Sequence, residues 1–335
     1  MTQVTQQQVA EKAGVSPALV SLVMRGAPNV SDHRRRLVLE AAAELGYRPN
    51  VLARSLASRR THTIGVVVND LHNPFFAEVA DGIQAAADEA DYRLLFGNGR
   101  HSPEGEAVAV ETFLEFRVDG VIVAGTLELA SIEEAARAVP LVVVARSEHI
   151  AWADTINTDN EAGAHLMVDH LVAAGHRRIA HIDGGGGAGA AHRSIGYVDA
   201  MRRHGLDDHI QIAAGDFTED TGRAGAAELL DRPRPPTAIF AANDLSAIGA
   251  FDETLSRGMR IPDDVSIGGY DNIGLAAMAH LGLTTINQPS EDIGAAALDM
   301  LLQRVETGRD ATEHVVLQPE LVVRTSSGPP PGDPT

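Results

Sequence analysis

Residues 5–26 read TQQQVAEKAGVSPALVSLVMRG. The stretch holds two short helical patterns around a glycine. Thr5 followed by Gln8 fits a capping box, in which the threonine hydroxyl caps the helix and the glutamine reaches back. Val9, Ala10 and Ala13 then share one face. Gly14 suits the left-handed conformation that ends a helix and opens a tight turn. Ser16 is a good N-cap, and Pro17 stands at the first helical position, where its missing N–H costs nothing. Val20, Val23 and Met24 recur at helical spacing and are expected inside. That turns Pro17, Ala18, Ser21, Leu22 and Arg25 outward. A third helix is expected from a Ser31 cap, burying Leu37, Val38, Ala41 and Leu45 and ending at Gly46. Helix, short glycine turn, helix is the geometry that lays a second helix in the major groove of DNA.

The net charge of −19 over 335 residues argues at first against a nucleic-acid partner. Its distribution reverses that reading. Through residue 60 there are nine basic and four acidic residues, a net +5, which leaves −24 for the rest. A basic head on an acidic body is expected where only the head meets phosphates. A solvated basic face is the blander reading of the same charges.

The length suits two or three domains with a sizeable core. The first residues are polar and do not read as a signal peptide, and no apolar run is long enough to span a bilayer. The chain has no cysteine, which excludes disulfides, thiolate metal sites and cysteine nucleophiles. A cytoplasmic location is the simplest expectation. The proline-rich end, residues 326–335, is expected to be disordered.

From Ile64 onward, short apolar runs alternate with amphipathic helical patterns. IGVVV (64–68), YRLLF (92–96), GVIVAG (120–125) and LVVVA (141–145) form one set. RRIAHI (177–182), IQIAAG (210–215), TAIFAAN (237–243) and VSIGGY (265–270) form another. Strand–helix alternation predicts parallel sheets covered on both faces, and two sets predict two lobes. Ligands in such sheets sit at the carboxyl ends of the strands. Asp70, Asn73, Phe75, Gly125, Arg146, Asn243, Asp244 and Asp271 stand there. Together they suit a polar, hydroxyl-rich ligand, because carboxylates, amides and a guanidinium both donate and accept.

A second glycine pattern competes. Gly184, Gly186 and Gly189 follow the strand RRIAHI at dinucleotide-binding spacing, with Asp207 and Asp208 roughly where a ribose-binding acid stands. A nicotinamide-dependent dehydrogenase is thus the enzymatic alternative. The run GGGGAGA is of low complexity and lies midway along the chain, which weakens it. No Walker loop is present. The fourteen histidines form no metal-ligand pattern, and His165 and His170 are poorly spaced for one. No nucleophile–base pair stands out, so neither an enzyme, a cofactor nor a metal is expected.

Several of these segments are more specific together than apart. AGVS (13–16), Val20-Ser21, NVS (29–31), LGYRPN (45–50), ARSL (53–56), NPFF (73–76) and, near the other end, ELVVRTS (320–326) stand at the spacing of one family. On these the chain resembles the lactose-repressor (LacI/GalR) family of transcriptional regulators along nearly its whole length. The resemblance implies a helix-turn-helix domain (1–48), then a hinge helix and linker (49–61). An effector-binding body (62–325) of periplasmic-binding-protein type follows. Its first lobe would be about 62–159 and 289–318, its second about 160–288 and 319–325, with crossings near Asp159, Gln288 and Pro319. The expected class is therefore an α head followed by two doubly wound α/β lobes.

The resemblance also implies function. Double-stranded operator DNA, read as a pseudo-palindrome by a homodimer, is the expected partner. Thr5, Ser16, Pro17, Ala18, Ser21, Leu22, Arg25, Asn29, Ser31 and Tyr47 would face it. From the hinge, Asn50, Ala53 and Leu56 would too, with Leu56 as a minor-groove wedge. A sugar or sugar derivative is the expected effector, held by Asp70, Phe75, Arg146, Arg193, Phe217, Asn243 and Asp271. Two departures stand out. Pro17, Ala18 and Leu22 occupy base-reading positions without a hydrogen-bonding group, which leaves apolar contact with thymine methyls. Ala145 stands where many sugar-binding members have an aspartate, which leaves a phosphorylated or carboxylated effector open. A transport solute-binding protein shares the body fold, but the head and the polar start argue against it.

Overall fold

The computed structural model describes residues 4–24, 27–47, 60–100, 102–125, 128–147 and 149–332. Contacts divide the chain into two compact units, Met1–Thr61 and His62–Thr335.

The first unit holds three helices, α1 (Gln6–Ala13), α2 (Pro17–Met24) and α3 (Asp32–Leu45). The capping box is formed: the Thr5 N–H donates to Gln8 Oε1 at 2.8 Å and the Gln8 N–H to Thr5 Oγ1 at 3.4 Å. Gly14 (φ 66°) and Gly46 (φ 64°) end α1 and α3 in the left-handed conformation that glycine adopts without penalty. The Ser16 hydroxyl accepts from the Leu19 N–H at 3.3 Å. Ser31 precedes α3, yet its side chain makes no capping bond. Val9, Ala10, Val20, Val23, Val38, Ala41 and Ala42 form a shared core. Leu37 is exposed instead of buried. The inward stripe of α3 is centred on Val38, Ala41, Ala42 and the half-buried Leu45, at i, i+3, i+4 and i+7, and Leu37 lies at its rim.

In the second unit, one lobe carries a six-stranded sheet. Its strands are β1 (Thr63–Val68), β2 (Arg93–Asn98), β3 (Gly120–Ala124), β4 (Leu141–Val144), β5 (Asp154–Thr158) and β11 (His314–Leu317). They lie in the order β11-β5-β4-β3-β1-β2, all pairs parallel. The apolar runs are continuous because both faces are covered. Ile64, Val66 and Val68 join Ile122, Val142 and Ile156 in one core, packed by α4 (Pro74–Glu89) and α11 (Ser290–Thr307). Val67, Val121, Val123 and Val143 point the other way, against α5 (Pro103–Glu115) and α6 (Ala130–Ala136). Fully buried Asp154 holds Arg304 at 3.0 Å and Arg309 at 2.9 Å, docking the late segment onto this lobe.

The other lobe is built on β6 (Ile179–Ile182), β7 (Gln211–Ala213), β8 (Ala238–Ala241) and β9 (Ser266–Gly268), in the order β7-β6-β8-β9, again parallel. Its helices are α7 (Asn160–Ala173), α8 (Ala190–Arg203), α9 (Glu219–Leu230) and α10 (Asp244–Ser256), and an antiparallel pair, β10 (Thr285–Asn287) with β12 (Glu320–Val322), lies beside it. The chain passes between the sheets after β5, after β10 and after β11.

The proline-rich end departs from expectation over its first part: residues 326–328 are bonded into the lobe, while Pro329, Pro331 and Gly332 are exposed. Ser326 is buried. Its carbonyl accepts from the Ile267 N–H at 2.9 Å, and its hydroxyl accepts from the Thr284 N–H at 2.8 Å. The Gly328 carbonyl lies 2.9 Å from Nε2 of His176, a ring that burial holds below its usual pKa. Composition signals disorder only where a segment finds no partners, and here a lobe supplies them. A chain ending at Thr325 would deprive the buried Ile267 and Thr284 N–H groups of these partners, at about 1–3 kcal/mol each. Its urea unfolding midpoint is expected to fall clearly; an unchanged midpoint would show that the segment holds nothing.

Candidate functional site

Both parallel sheets have a topological switch point, where the strand order reverses on either side of the first strand: β1 between β2 and β3, and β6 between β7 and β8. A crevice opens beyond the carboxyl ends of strands at such points. Here a cavity of about 190 Å³ is lined from one lobe by Asn69, Asp70, Asn73, Phe75, Phe76, Gly125 and Ala145. The other lobe contributes the glycine loop at Gly184–Ala188 together with Arg193, Asp216, Phe217, Asn243 and Asp271.

Each polar lining group is fixed from behind. Asn69 donates to Glu106 Oε1 at 2.5 Å and to the Gly125 carbonyl at 2.6 Å, joining the ends of β1 and β3. Asn73 caps α4 by accepting from the Phe75 N–H at 3.1 Å. Asn243 caps α10 through the Ser246 N–H at 2.8 Å and donates to the Phe217 carbonyl at 3.0 Å.

The centre of the site is Arg193, from the first turn of α8. Its side chain is 6% exposed. Nε donates to Asn160 Oδ1 at 2.9 Å, and Nη1 donates to the Ala242 carbonyl at 2.5 Å and to Asp271 Oδ1 at 3.4 Å. The guanidinium lies over two aromatic rings, 3.7 Å from the Tyr270 centroid and 5.5 Å from that of Phe217. Asp271 also accepts from Gln288 Nε2 at 2.7 Å. Burial pushes the Asp271 carboxyl up to about 6, against the opposing pull of Arg193 and Gln288. Asp244, named beside Asn243 as a strand-end candidate, does not line the cavity: it accepts from Thr285 Oγ1 at 2.5 Å and from the Ile273 N–H at 2.9 Å. Burial, with Asp271 nearby, raises its pKa well above the usual range.

Backbone strain gathers at the same place. Ala145 (φ 64°), Phe217 (φ 72°) and Asp271 (φ 113°) are non-glycine residues at positive φ, and all three line the cavity. Such conformations cost about 1–3 kcal/mol each and cluster at ligand sites. The glycine run has a steric reason: a Cβ on Gly184 or Gly187 would collide with the Phe217 ring.

Of the ligand residues expected from sequence, Asp70, Phe75, Arg193, Phe217, Asn243 and Asp271 come together around this cavity, and Arg146 does not. Ala145 faces the cavity from a left-handed turn just past the end of β4, and Arg146 follows it out of the lining. Sequence reasoning missed Asn69, Phe76 and Asp216, and it read the glycine loop as a weak dinucleotide pattern. It passed over the loop as low complexity, although a glycine run between a strand and a helix does signal close approach of another group.

On the head, Thr5, Ser16, Pro17, Ala18, Leu22, Asn29 and Ser31 are exposed, and Ser21 and Tyr47 are half-buried. Tyr47 packs against the three-helix core. Arg25, Asn50, Ala53 and Leu56 lie outside the described residues. Among the described residues no cluster of histidine and carboxylate groups suits a metal ion, and no helix is long and apolar enough to cross a membrane.

The family profile for bacterial regulatory proteins of the lacI family matches residues 5–50, and that for a periplasmic binding protein-like domain matches residues 168–327. The HTH-type transcriptional repressor CytR of Escherichia coli (strain K12) is 36% identical over 330 residues, covering 97% of each chain. The structure of a Lac repressor dimer bound to operator and the anti-inducer ONPF matches with a TM-score of 0.88 at 30% identity, covering 98% of this chain and 100% of that one. A LacI family regulator from Enterococcus faecium with bound ribose matches with a TM-score of 0.73 at 29% identity, over 80% of this chain and 99% of that one. With a lacI-type head, a two-lobed body and full-length similarity to such repressors, the chain belongs to the LacI family of transcriptional regulators.

Proposed function

We propose that the chain is a cytoplasmic, homodimeric repressor that binds a pseudo-palindromic operator through its head and hinge, under control of a small polar effector held between the lobes. The observation that carries this reading is the pairing of a basic three-helix head with a strained, polar-lined cleft at two strand-order switch points. The Lac repressor relative is a dimer on operator DNA. Paired heads call for paired half-sites. Effector binding repositions the lobes and so changes the hinge, which requires different effector affinities in the two states. The domain limits that go with this reading are 1–48 for the head, 49–61 for the hinge and 62 onward for the effector body, whose expected end at 325 moves to include the bonded segment 326–328.

A sugar or sugar derivative fits the cleft. Asp70, Asp271 and Asn243 accept or donate to hydroxyls, and Phe75 and Phe217 offer faces to a ring. The E. faecium relative holds ribose. An unmodified sugar is favoured over its phosphate ester. Three carboxylates and one guanidinium line the cavity, and that guanidinium already pairs with Asp271. The N-termini of α4, α8 and α10 open on the cavity and add roughly half a positive charge each, which leaves the lining as a whole without net positive charge. Dinucleotide chemistry is disfavoured because the Phe217 ring occupies the space over the glycines where a pyrophosphate would lie. The chain is read as a regulator, not a catalyst.

Arg193→Ala and Asp271→Ala are expected to weaken effector binding by about 1.5–3 kcal/mol or more, since each removes a charged hydrogen-bonding partner, while operator binding without effector survives. Calorimetry with the effector found by a thermal-shift screen of sugars and sugar phosphates decides this. Wild-type affinity in both variants would place the site elsewhere. The same variants repress permanently if the ligand is an inducer and never if it is a corepressor.

A pH series gives a second reading. With its folded pKa raised to about 6, Asp271 favours the folded state most below the unfolded carboxyl value, and that contribution is lost as pH rises through about 6. Ligand hydroxyls that need the ionised carboxylate are therefore expected to bind more weakly at pH 5 than at pH 7. Asp271→Asn should remove that difference, and a slope that persists in the variant would assign it to another group.

DNA affinity is expected to reside in the head and hinge and to fall steeply with salt, as counterions are released. A fragment from Thr63 onward that still shifted operator DNA would contradict this. Leu56→Ala is expected to weaken operator binding and reduce bending, read by fluorescence transfer across the site, with effector affinity unchanged; equal bending would remove the wedge role.

A further inference from the structure

The outward face of α2 is apolar. Val20 and Val23 are buried in the head core, which leaves Pro17, Ala18 and Leu22 exposed, Leu22 by 40%. None carries a side-chain donor or acceptor. Of the polar groups beside them, Ser21 is half-buried, Arg25 lies outside the described residues, and two others bond within the head. The Ser16 hydroxyl accepts from the Leu19 N–H at 3.3 Å, and the Gln6 side-chain amide donates to the Pro17 carbonyl at 2.8 Å.

The second helix of a helix-turn-helix lies in the major groove. There each base pair shows donors and acceptors, and thymine alone among the four bases adds an apolar group, its C5-methyl. A guanine, adenine or cytosine edge set against Leu22 would lose water and gain no hydrogen bond, an unfavourable exchange. A methyl set against Leu22, Ala18 or the Pro17 ring loses water favourably. We infer that this face of α2 selects its half-site by pyrimidine C5-methyl groups, so that Leu22 with Ala18 and Pro17 specifies thymine, or 5-methylcytosine, in place of a hydrogen-bonded base. The inference rests on the reading that the head binds operator DNA.

The full chain would first select its operator from a pool of random duplexes. Thymines of the selected site are then replaced singly by uracil, which removes the methyl and leaves every hydrogen-bonding group in place. At one or more thymines per half-site, uracil is expected to weaken binding about fourfold, the loss for one methyl-sized group withdrawn from contact. In Leu22→Ala, a surface change, thymine and uracil should become nearly equivalent at one of those positions. Binding indifferent to uracil throughout overturns this inference alone. Uracil sensitivity that survives undiminished in Leu22→Ala and in Ala18→Gly also overturns it, and assigns the effect to duplex shape. Failure to select any duplex overturns the DNA-binding reading itself, and this inference with it.

Discussion

The body is organised around one buried ion pair. Arg193 and Asp271 face each other inside the second lobe, at side-chain exposures of 6% and 3%. Removing either partner leaves the other buried with only its hydrogen bonds to neutral groups. Its other partners lie where the chain crosses between lobes. Asn160, which accepts from Arg193, opens α7 just after the first crossing, and Gln288, which donates to Asp271, stands at the second. The group best placed to meet a ligand is thus wired to two of the three crossings. On the proposed reading, a ligand that competed for Asp271 or shifted Arg193 would act on two of the segments that join the lobes.

That arrangement explains why strain is tolerated at the cleft. Ala145, Phe217 and Asp271 adopt conformations that their side chains resist, and each is held there by surrounding bonds or packing. The Phe217 carbonyl accepts from Asn243, its ring lies over glycines that leave it room, and Arg193 sits beside the ring. A site held this way is pre-organised, and the folding of two sheets supplies the energy that holds it.

The head solves a different problem with fewer residues. Three helices share a core of small and β-branched side chains. The capping box and two left-handed glycines fix where the helices start and stop, which leaves the turn before α2 little freedom. The described part of α2 therefore presents a defined outward face, on which Pro17, Ala18 and Leu22 are exposed.

The sequence by itself determined whatever depends on local pattern. Period-3.6 stripes, Thr5 with Gln8, Gly14, Gly46 and the Ser16-Pro17 pair specify the head, because caps and left-handed turns involve residues a few positions apart. Continuous apolar runs specify the parallel strands, and their two sets specify two lobes. Motif matches located six of the seven expected ligand residues around one cavity, since strand ends in such sheets converge by topology. The tertiary structure alone decided what depends on distant partners. Arg146 misses the cavity because a turn at Ala145 takes up the position facing it. Leu37 stays exposed because the stripe on α3 is centred one residue later. The glycine run is a seat for Phe217, some thirty residues on, and composition carries no trace of that partner. The start of the proline-rich end, residues 326–328, is held because Thr284, Ile267 and His176 meet it. Composition reports how much a segment gains from burying itself, and only the folded neighbour decides what it gains from being held.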